Sequence, residues 1–246
     1  VSPAAGDIVL LHGFGSTGAI FDPLAQALSD RYAVHCPDLP GHGRAANELA
    51  RSDDRPAFAE VVDRLLARLP ERFELLGYSL GGRIALHLAL AGGQRIGRLY
   101  LVSTTAGIED PAERQARRLS DLAWAKALER EPYDRFISRW RAQPVFAGEP
   151  PQAAERSIAA QRECDPAALA VVMRRLGTGA MKPLWSRLAE ITIPTVVIVG
   201  SRDNRYRRIG KRLAEGVADG RLVVVEGGHN LVAEAPDRLA AAILAS

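Results

Sequence analysis

Apolar residues along this 246-residue chain follow two rhythms. Short, mostly apolar runs of four or five residues occupy positions 8–11, 32–36, 73–76, 99–102, 195–199 and 222–225. Each is closed by turn-forming residues. Runs of that length without polar alternation predict strands covered on both faces, as in a parallel sheet. Between them the spacing turns helical. Positions 23–28 and 236–244 show it, and 58–69 carries Val61, Val62, Leu65, Leu66 and Leu69 on one stripe. Positions 80–90 are apolar almost all round, which predicts a helix buried against the sheet. Strands alternating with helices predict an α/β architecture, a mostly parallel sheet with helices on both faces.

The rhythm changes between residues 107 and 188. That stretch is polar and rich in arginine, with helical spacing at 113–128, 133–140, 151–161 and 167–176 and no strand signal. A helical insertion between two strands predicts a cap over the strand ends. The expected organisation is therefore a core of residues 1–106 and 189–246 carrying a helical cap at 107–188. No repeat or low-complexity segment interrupts it.

Composition adds only exclusions. The chain is 47% hydrophobic and 25% charged, with a formal charge of +3, ordinary for a globular protein. The basic residues are nearly all arginine and are scattered, which argues against a nucleic-acid stripe. Cys36 and Cys164 make neither a disulfide framework nor a metal-ligand spacing, and a cytoplasmic location is the expectation. Residues 1–7 lack the basic and apolar regions of a secretory leader. No apolar stretch approaches the length of a membrane span, so no membrane partner is expected. The oligomeric expectation is open, a monomer or a small homo-oligomer.

The chemistry concentrates at Gly77-Tyr78-Ser79-Leu80-Gly81. This matches the G-x-S-x-G nucleophile elbow, and a predicted strand precedes it while a predicted helix follows. A serine in so sharp a turn is flanked by backbone too close for side chains, hence the glycines. Serine needs a base. Of His12, His35, His42, His87 and His229, only His229 follows the last strand, where the serine–acid–histidine order of α/β hydrolases places it. The acid is expected after the preceding strand, at Asp203; Glu226 and Asp38 are weaker candidates, Asp38 being better explained as a turn former. The oxyanion hole is expected from the backbone N–H groups of Leu80 and Phe14, with His12 supporting the Phe14 loop. Gly13-Phe14-Gly15 is no dinucleotide fingerprint. The expected fold is thus that of the α/β hydrolases, and no metal or phosphate motif competes with the serine.

The elbow extends to Gly81-Gly82-Arg83, and the insertion contains Glu113–Asp121 (ERQARRLSD), Trp124-Ala125, Glu131-Pro132, Phe136, Trp140 and Gln143-Pro144-Val145-Phe146. Gly177-Thr178-Gly179, Pro183-Leu184-Trp185 and Gly200-Ser201-Arg202-Asp203-Asn204-Arg205-Tyr206 follow. This succession, spanning nearly the whole chain, resembles the 2-succinyl-6-hydroxy-2,4-cyclohexadiene-1-carboxylate synthases of menaquinone biosynthesis. The resemblance implies a lyase that eliminates pyruvate from a small tricarboxylate, with the triad serine acting as a base and no cofactor. It implies carboxylate binding by Arg83, Arg117 and Arg162, and pocket aromatics at Tyr78 and Trp140. The chain departs from the family pattern at Arg141, where an aromatic is usual, and at Met181-Lys182, where glutamine is common before Pro183. Two other readings keep the same triad: an ester or C–C bond hydrolase working through an acyl-enzyme, and a non-catalytic binding protein of hydrolase fold.

Overall fold

Six strands, all parallel, form the backbone of the computed structural model, which describes residues 6–49 and 56–246. The first five residues, read above for a leader, lie outside that range. In chain order the elements are β1 (Gly6–Leu11), α1 (Asp22–Leu28), β2 (Tyr32–His35), α2 (Ala57–Leu66), β3 (Phe73–Tyr78), α3 (Leu80–Gly92) and β4 (Ile96–Val102). The helices α4 (Pro111–Arg130), α5 (Tyr133–Arg141), α6 (Pro151–Arg162) and α7 (Pro166–Leu176) come next. The chain then returns to the sheet with β5 (Thr195–Gly200), α8 (Asn204–Gly216), β6 (Gly220–Val225), α9 (Leu231–Glu234) and α10 (Pro236–Leu244).

The sheet order is β2-β1-β3-β4-β5-β6. Every pairing is parallel, so "mostly" parallel becomes wholly parallel among the described residues. Alternate strand residues face opposite sides. Val9, Leu11, Leu75, Leu99, Leu101, Val197 and Val199 pack with α2, α3 and Leu213 of α8. Ile8, Leu10, Leu76, Tyr100, Val102 and Ile198 pack with α1, α9 and α10. Both faces are dry, which is why the strands show no polar alternation in sequence. At the edge, β6 is different: Leu222 and Val224 are exposed.

α8 has no counterpart among the sequence-derived elements. Its segment, NRYRRIGKRLAEG, is mostly polar, and only Gly210, Leu213 and Ala214 are buried. Such a thin apolar stripe falls below what spacing alone reveals; packing on β5 and β6 holds it. The four helices between β4 and β5 form where expected, within a few residues at each end. They share a small core of their own, with Leu128, Phe136 and Leu169 at its centre. Asp110 and Asp165 cap the N-termini of α4 and α7, accepting from the backbone N–H groups of Glu113 and Ala167. Among the described residues no helix is long and apolar enough to cross a membrane.

Candidate active site

Ser79 stands between the end of β3 and the start of α3 with φ 52° and ψ −106°. This left-handed backbone is strained for a residue with a side chain. The surroundings enforce it. The Ser79 N–H donates to the Val102 carbonyl at 3.0 Å, and the Ser79 carbonyl accepts from the Thr104 hydroxyl at 2.7 Å. The flanking glycines have no room to spare. A methyl group at Gly81 would run into the backbone of Leu11 and His12, and one at Gly77 into Gly81 and Gly82. The first turn of α3 thus presses on the end of β1, held by a 3.0 Å hydrogen bond from the Gly81 N–H to the His12 carbonyl. This close approach puts the N-terminal N–H groups of α3 beside the loop that carries Phe14.

His229 follows β6 and Asp203 follows β5, two adjacent strands, so their loops meet. The Asp203 carboxylate accepts from His229 Nδ1 at 2.7 Å and, through its other oxygen, from the Tyr206 N–H at 3.0 Å. Both side chains are buried. The close contact of the two loops again requires glycine: a methyl group at Gly200 would strike the carbonyls of Gly227 and Gly228. Glu234 accepts from the Gly228 N–H at 2.8 Å and pairs with Arg202 at 2.6 Å, tying down the residue before His229. The other candidate acids are used elsewhere. Asp38 accepts from the backbone of Gly18 and Arg44, and Glu226 pairs with Arg238 at the surface.

His12 is fully buried and neutral by construction. Its Nδ1–H donates to the Gly13 carbonyl at 2.8 Å, and its Nε2 accepts from the Leu39 N–H at 2.9 Å. Burial pushes its pKa down to about 4. Its ring stands edge-on to that of His42, 4.9 Å away. Both buried imidazoles therefore brace the loop after β1. His87 stacks on Phe58 at 4.3 Å and donates to the Arg83 carbonyl, while His35 pairs with Asp7.

Two cavities share Ser79, Phe14 and Trp140 in their walls. One is lined further by Leu80, Arg83, Arg117 and Tyr206. Arg83 is 8% exposed; burial and then the neighbouring Arg117 hold its pKa down to about 10. Two guanidiniums in mutual repulsion, one of them desolvated, favour an anion between them. Arg83 is anchored by a 2.5 Å hydrogen bond to the Leu176 carbonyl, and Arg117 by Asp121 at 2.7 Å. The second cavity is lined by Tyr78, His229, Asn230, Ser157, Gln161 and Arg141. Tyr78 is buried, which pushes its phenol pKa up; its ring lies 5.8 Å from that of His229.

The sequence-derived residues thus converge around Ser79, with one exception. Arg162 lines neither cavity: it turns outward at the end of α6 and pairs with Asp134 at 3.0 Å, both largely exposed. One helical position earlier, Gln161 faces inward and is 2% exposed. Among the lining residues that the sequence did not assign to the pocket are Tyr206, whose ring lies 4.5 Å from that of His229, Gln161 and Arg141. Tyr206 has a sequence trace in its place three positions after Asp203, and Arg141 one as the irregular residue beside Trp140; Gln161 has none. Among the described residues, no group of three or more His, Cys, Asp or Glu side chains is placed to hold a metal ion.

A strand–serine–helix elbow, a histidine–carboxylate pair on the loops after β5 and β6 and a wholly parallel sheet define an α/β hydrolase. A model of the alpha/beta hydrolase family matches residues 8–242, and the chain belongs to that family. A 2-succinyl-6-hydroxy-2,4-cyclohexadiene-1-carboxylate synthase of Salmonella paratyphi C is 32% identical over 239 residues, 95% of this chain and 90% of that protein. A putative synthase of the same name from Bacillus subtilis is 29% identical over 95% of this chain and 87% of its own length. The solved structure of MenH from S. aureus superposes with a TM-score of 0.89 at 32% identity, covering 98% of this chain and 93% of that one. Within the alpha/beta hydrolases, the chain is thus a member of the 2-succinyl-6-hydroxy-2,4-cyclohexadiene-1-carboxylate synthase family.

Proposed function

We propose that this protein is a carbon–oxygen lyase of menaquinone biosynthesis. It eliminates pyruvate from 2-succinyl-5-enolpyruvyl-6-hydroxy-3-cyclohexene-1-carboxylate, leaving 2-succinyl-6-hydroxy-2,4-cyclohexadiene-1-carboxylate. The observation that carries this reading is the juxtaposition of Ser79 with Arg83 and Arg117 in one cavity wall. Two neighbouring guanidiniums beside the serine suit a substrate that carries several carboxylates.

The steps assign a role to each group. His229, oriented by Asp203, takes the Ser79 hydroxyl proton as Ser79 removes a proton from a ring carbon. Negative charge develops on the succinyl carbonyl oxygen. The Leu80 and Phe14 N–H groups stabilise it, with Leu80 placed at the N-terminus of α3. The C–O bond to the enolpyruvyl group then breaks, the ring gains its second double bond, and the departing enolate takes up the proton to become pyruvate. Atoms balance without an acyl-enzyme. Trp140 and Tyr78 contribute apolar walls, and the helical insertion of residues 107–188 acts as a cap that excludes water from the enolate.

The test is pyruvate release by purified protein, followed with a coupled lactate dehydrogenase assay. Turnover with no burst of p-nitrophenol from p-nitrophenyl esters is expected. An ester burst without pyruvate release would replace the lyase reading with the hydrolase one. Arg83→Ala is expected to lower kcat/KM for pyruvate release by about 10- to 100-fold, as for loss of a charge-assisted contact, with most of the change in KM. Steady-state kinetics on the variant checks this; unchanged KM would remove Arg83 from substrate binding.

A further inference from the structure

We infer that Arg141 and Gln161 form a second carboxylate subsite, on the His229 side of Ser79, and that Arg141 does there what the family resemblance assigns to Arg162. This rests on the lyase reading and extends it, by giving another substrate carboxylate its binding residues.

Three observations carry it. First, Arg141 lines the cavity that also contains Ser79 and His229, with its side chain only 12% exposed. No other arginine or lysine does so among the described residues. Second, the guanidinium is fixed in place rather than swinging in solvent. It stacks on the Phe146 ring, 4.1 Å from its centre, and is paired with Glu149. Glu149 in turn accepts from Asn230 Nδ2 at 2.7 Å, next to His229. One edge of a five-donor guanidinium is thereby engaged, and the rest of the fork is left for a planar acceptor. Third, Gln161 is 2% exposed and its Nε2 is buried without a hydrogen-bond partner. That atom abuts Gly15, in the loop bearing Phe14. A buried donor in a cavity wall with nothing to donate to is costly unless a ligand supplies the acceptor.

Two donor groups on one wall suit a carboxylate. Of the other buried atoms there without a hydrogen-bond partner, Asn230 Oδ1 is an acceptor and repels one. The carboxylate therefore sits toward Gln161 and Arg141, leaving Asn230 Oδ1 to accept from a hydroxyl. Arg162 is excluded by direction, since its guanidinium already serves Asp134 at the surface. The subsite lies across Ser79 from Arg83 and Arg117, so a substrate gripped at both ends is held with its ring over the serine. Orientation of that kind lowers the barrier without further chemistry.

Arg141→Gln alone would strand the buried Glu149 charge and risk misfolding. The informative protein is the double variant Arg141→Gln/Glu149→Gln, in which the amide oxygen introduced at position 149 can still accept from Asn230. Its KM for pyruvate release is expected to rise about 10- to 100-fold, with kcat changed by less than about 5-fold. Arg162→Gln is expected to match wild type within about 2-fold. An unchanged KM in the double variant, or an equal loss in Arg162→Gln, would overturn the assignment. If wild-type protein releases no pyruvate, the lyase reading fails, and the subsite is then judged by binding alone. Calorimetry with succinate in an Arg83→Ala background decides it: at least 10-fold (about 1.4 kcal/mol) weaker binding on adding the double substitution supports the subsite, and equal binding refutes it.

Discussion

Replacing Ser79 with alanine is expected to cut pyruvate release by about 10³-fold or more while leaving the fold intact. The hydroxyl is the group proposed to take the ring proton, and its removal leaves only Leu80, Phe14 and the arginines to act on the substrate. The fold survives because the Ser79 side chain caps nothing: it makes no hydrogen bond to the start of α3. Alanine tolerates the φ of 52° no better and no worse than serine. Ser79→Gly separates the two roles further. It should be as inactive as alanine yet more stable by about 1 kcal/mol, since glycine adopts positive φ without strain. Single-turnover pyruvate assays and urea unfolding on both variants test this. Retention of more than about a tenth of wild-type turnover in Ser79→Ala would remove the serine from proton transfer.

The second large effect lies in acid. His12 is neutral in the folded protein, with its pKa pushed from 6.5 to about 4 by burial, and His42, equally buried beside it, is pushed down as well. The unfolded chain binds protons at these imidazoles from about pH 6.5 downward, whereas the folded chain resists. Stability is therefore fully present above pH 6.5 and is lost as pH falls through about 4. The displacement at His12 alone corresponds to about 3 kcal/mol, a large share of what holds a domain together. Asp38 acts in the same direction at lower pH, because backbone N–H groups and Arg44 hold its carboxyl below its usual range against the opposing effect of burial. Urea titrations at pH 7.5, 6 and 4.5 should show the unfolding free energy falling across this interval. In His12→Asn, weaker at every pH, the slope between pH 6.5 and 4.5 should flatten. An equally steep slope in that variant would assign the acid sensitivity to other groups.

The strands and the elbow were legible because their signals are local. A strand buried on both faces must be apolar throughout, and a serine at positive φ between strand and helix must have small neighbours; both conditions are written within a few adjacent residues. Asp203 and His229 were legible for a different reason: chain order in this architecture dictates which loops lie above adjacent strand ends. α8 escaped notice because its burial is a thin stripe, so its stability comes from the sheet it packs on and leaves little periodicity. β6 was expected to be covered on both faces, yet at the sheet edge it exposes Leu222 and Val224, since apolar content does not reveal how far neighbouring elements extend over a strand.

The arginines mark the limit. Nothing in the order of residues distinguishes a guanidinium turned into a cavity from one turned to water. Resemblance pointed to Arg162, and a helical rotation of one position put Gln161 in the cavity instead, while Arg162 found Asp134 outside. Arg141 stood out in the sequence only as an irregularity next to Trp140; packing of α5 against the Glu149 loop turned it into a pocket wall. The chain by itself thus determined the elbow, the loops that bring His229 and Asp203 together, and the alternation that builds the sheet, because those depend on neighbours in sequence and on the order of elements. The direction each polar side chain takes, and so which donor groups line the pocket, was decided only when distant helices packed, because that direction depends on competing partners supplied by other parts of the chain.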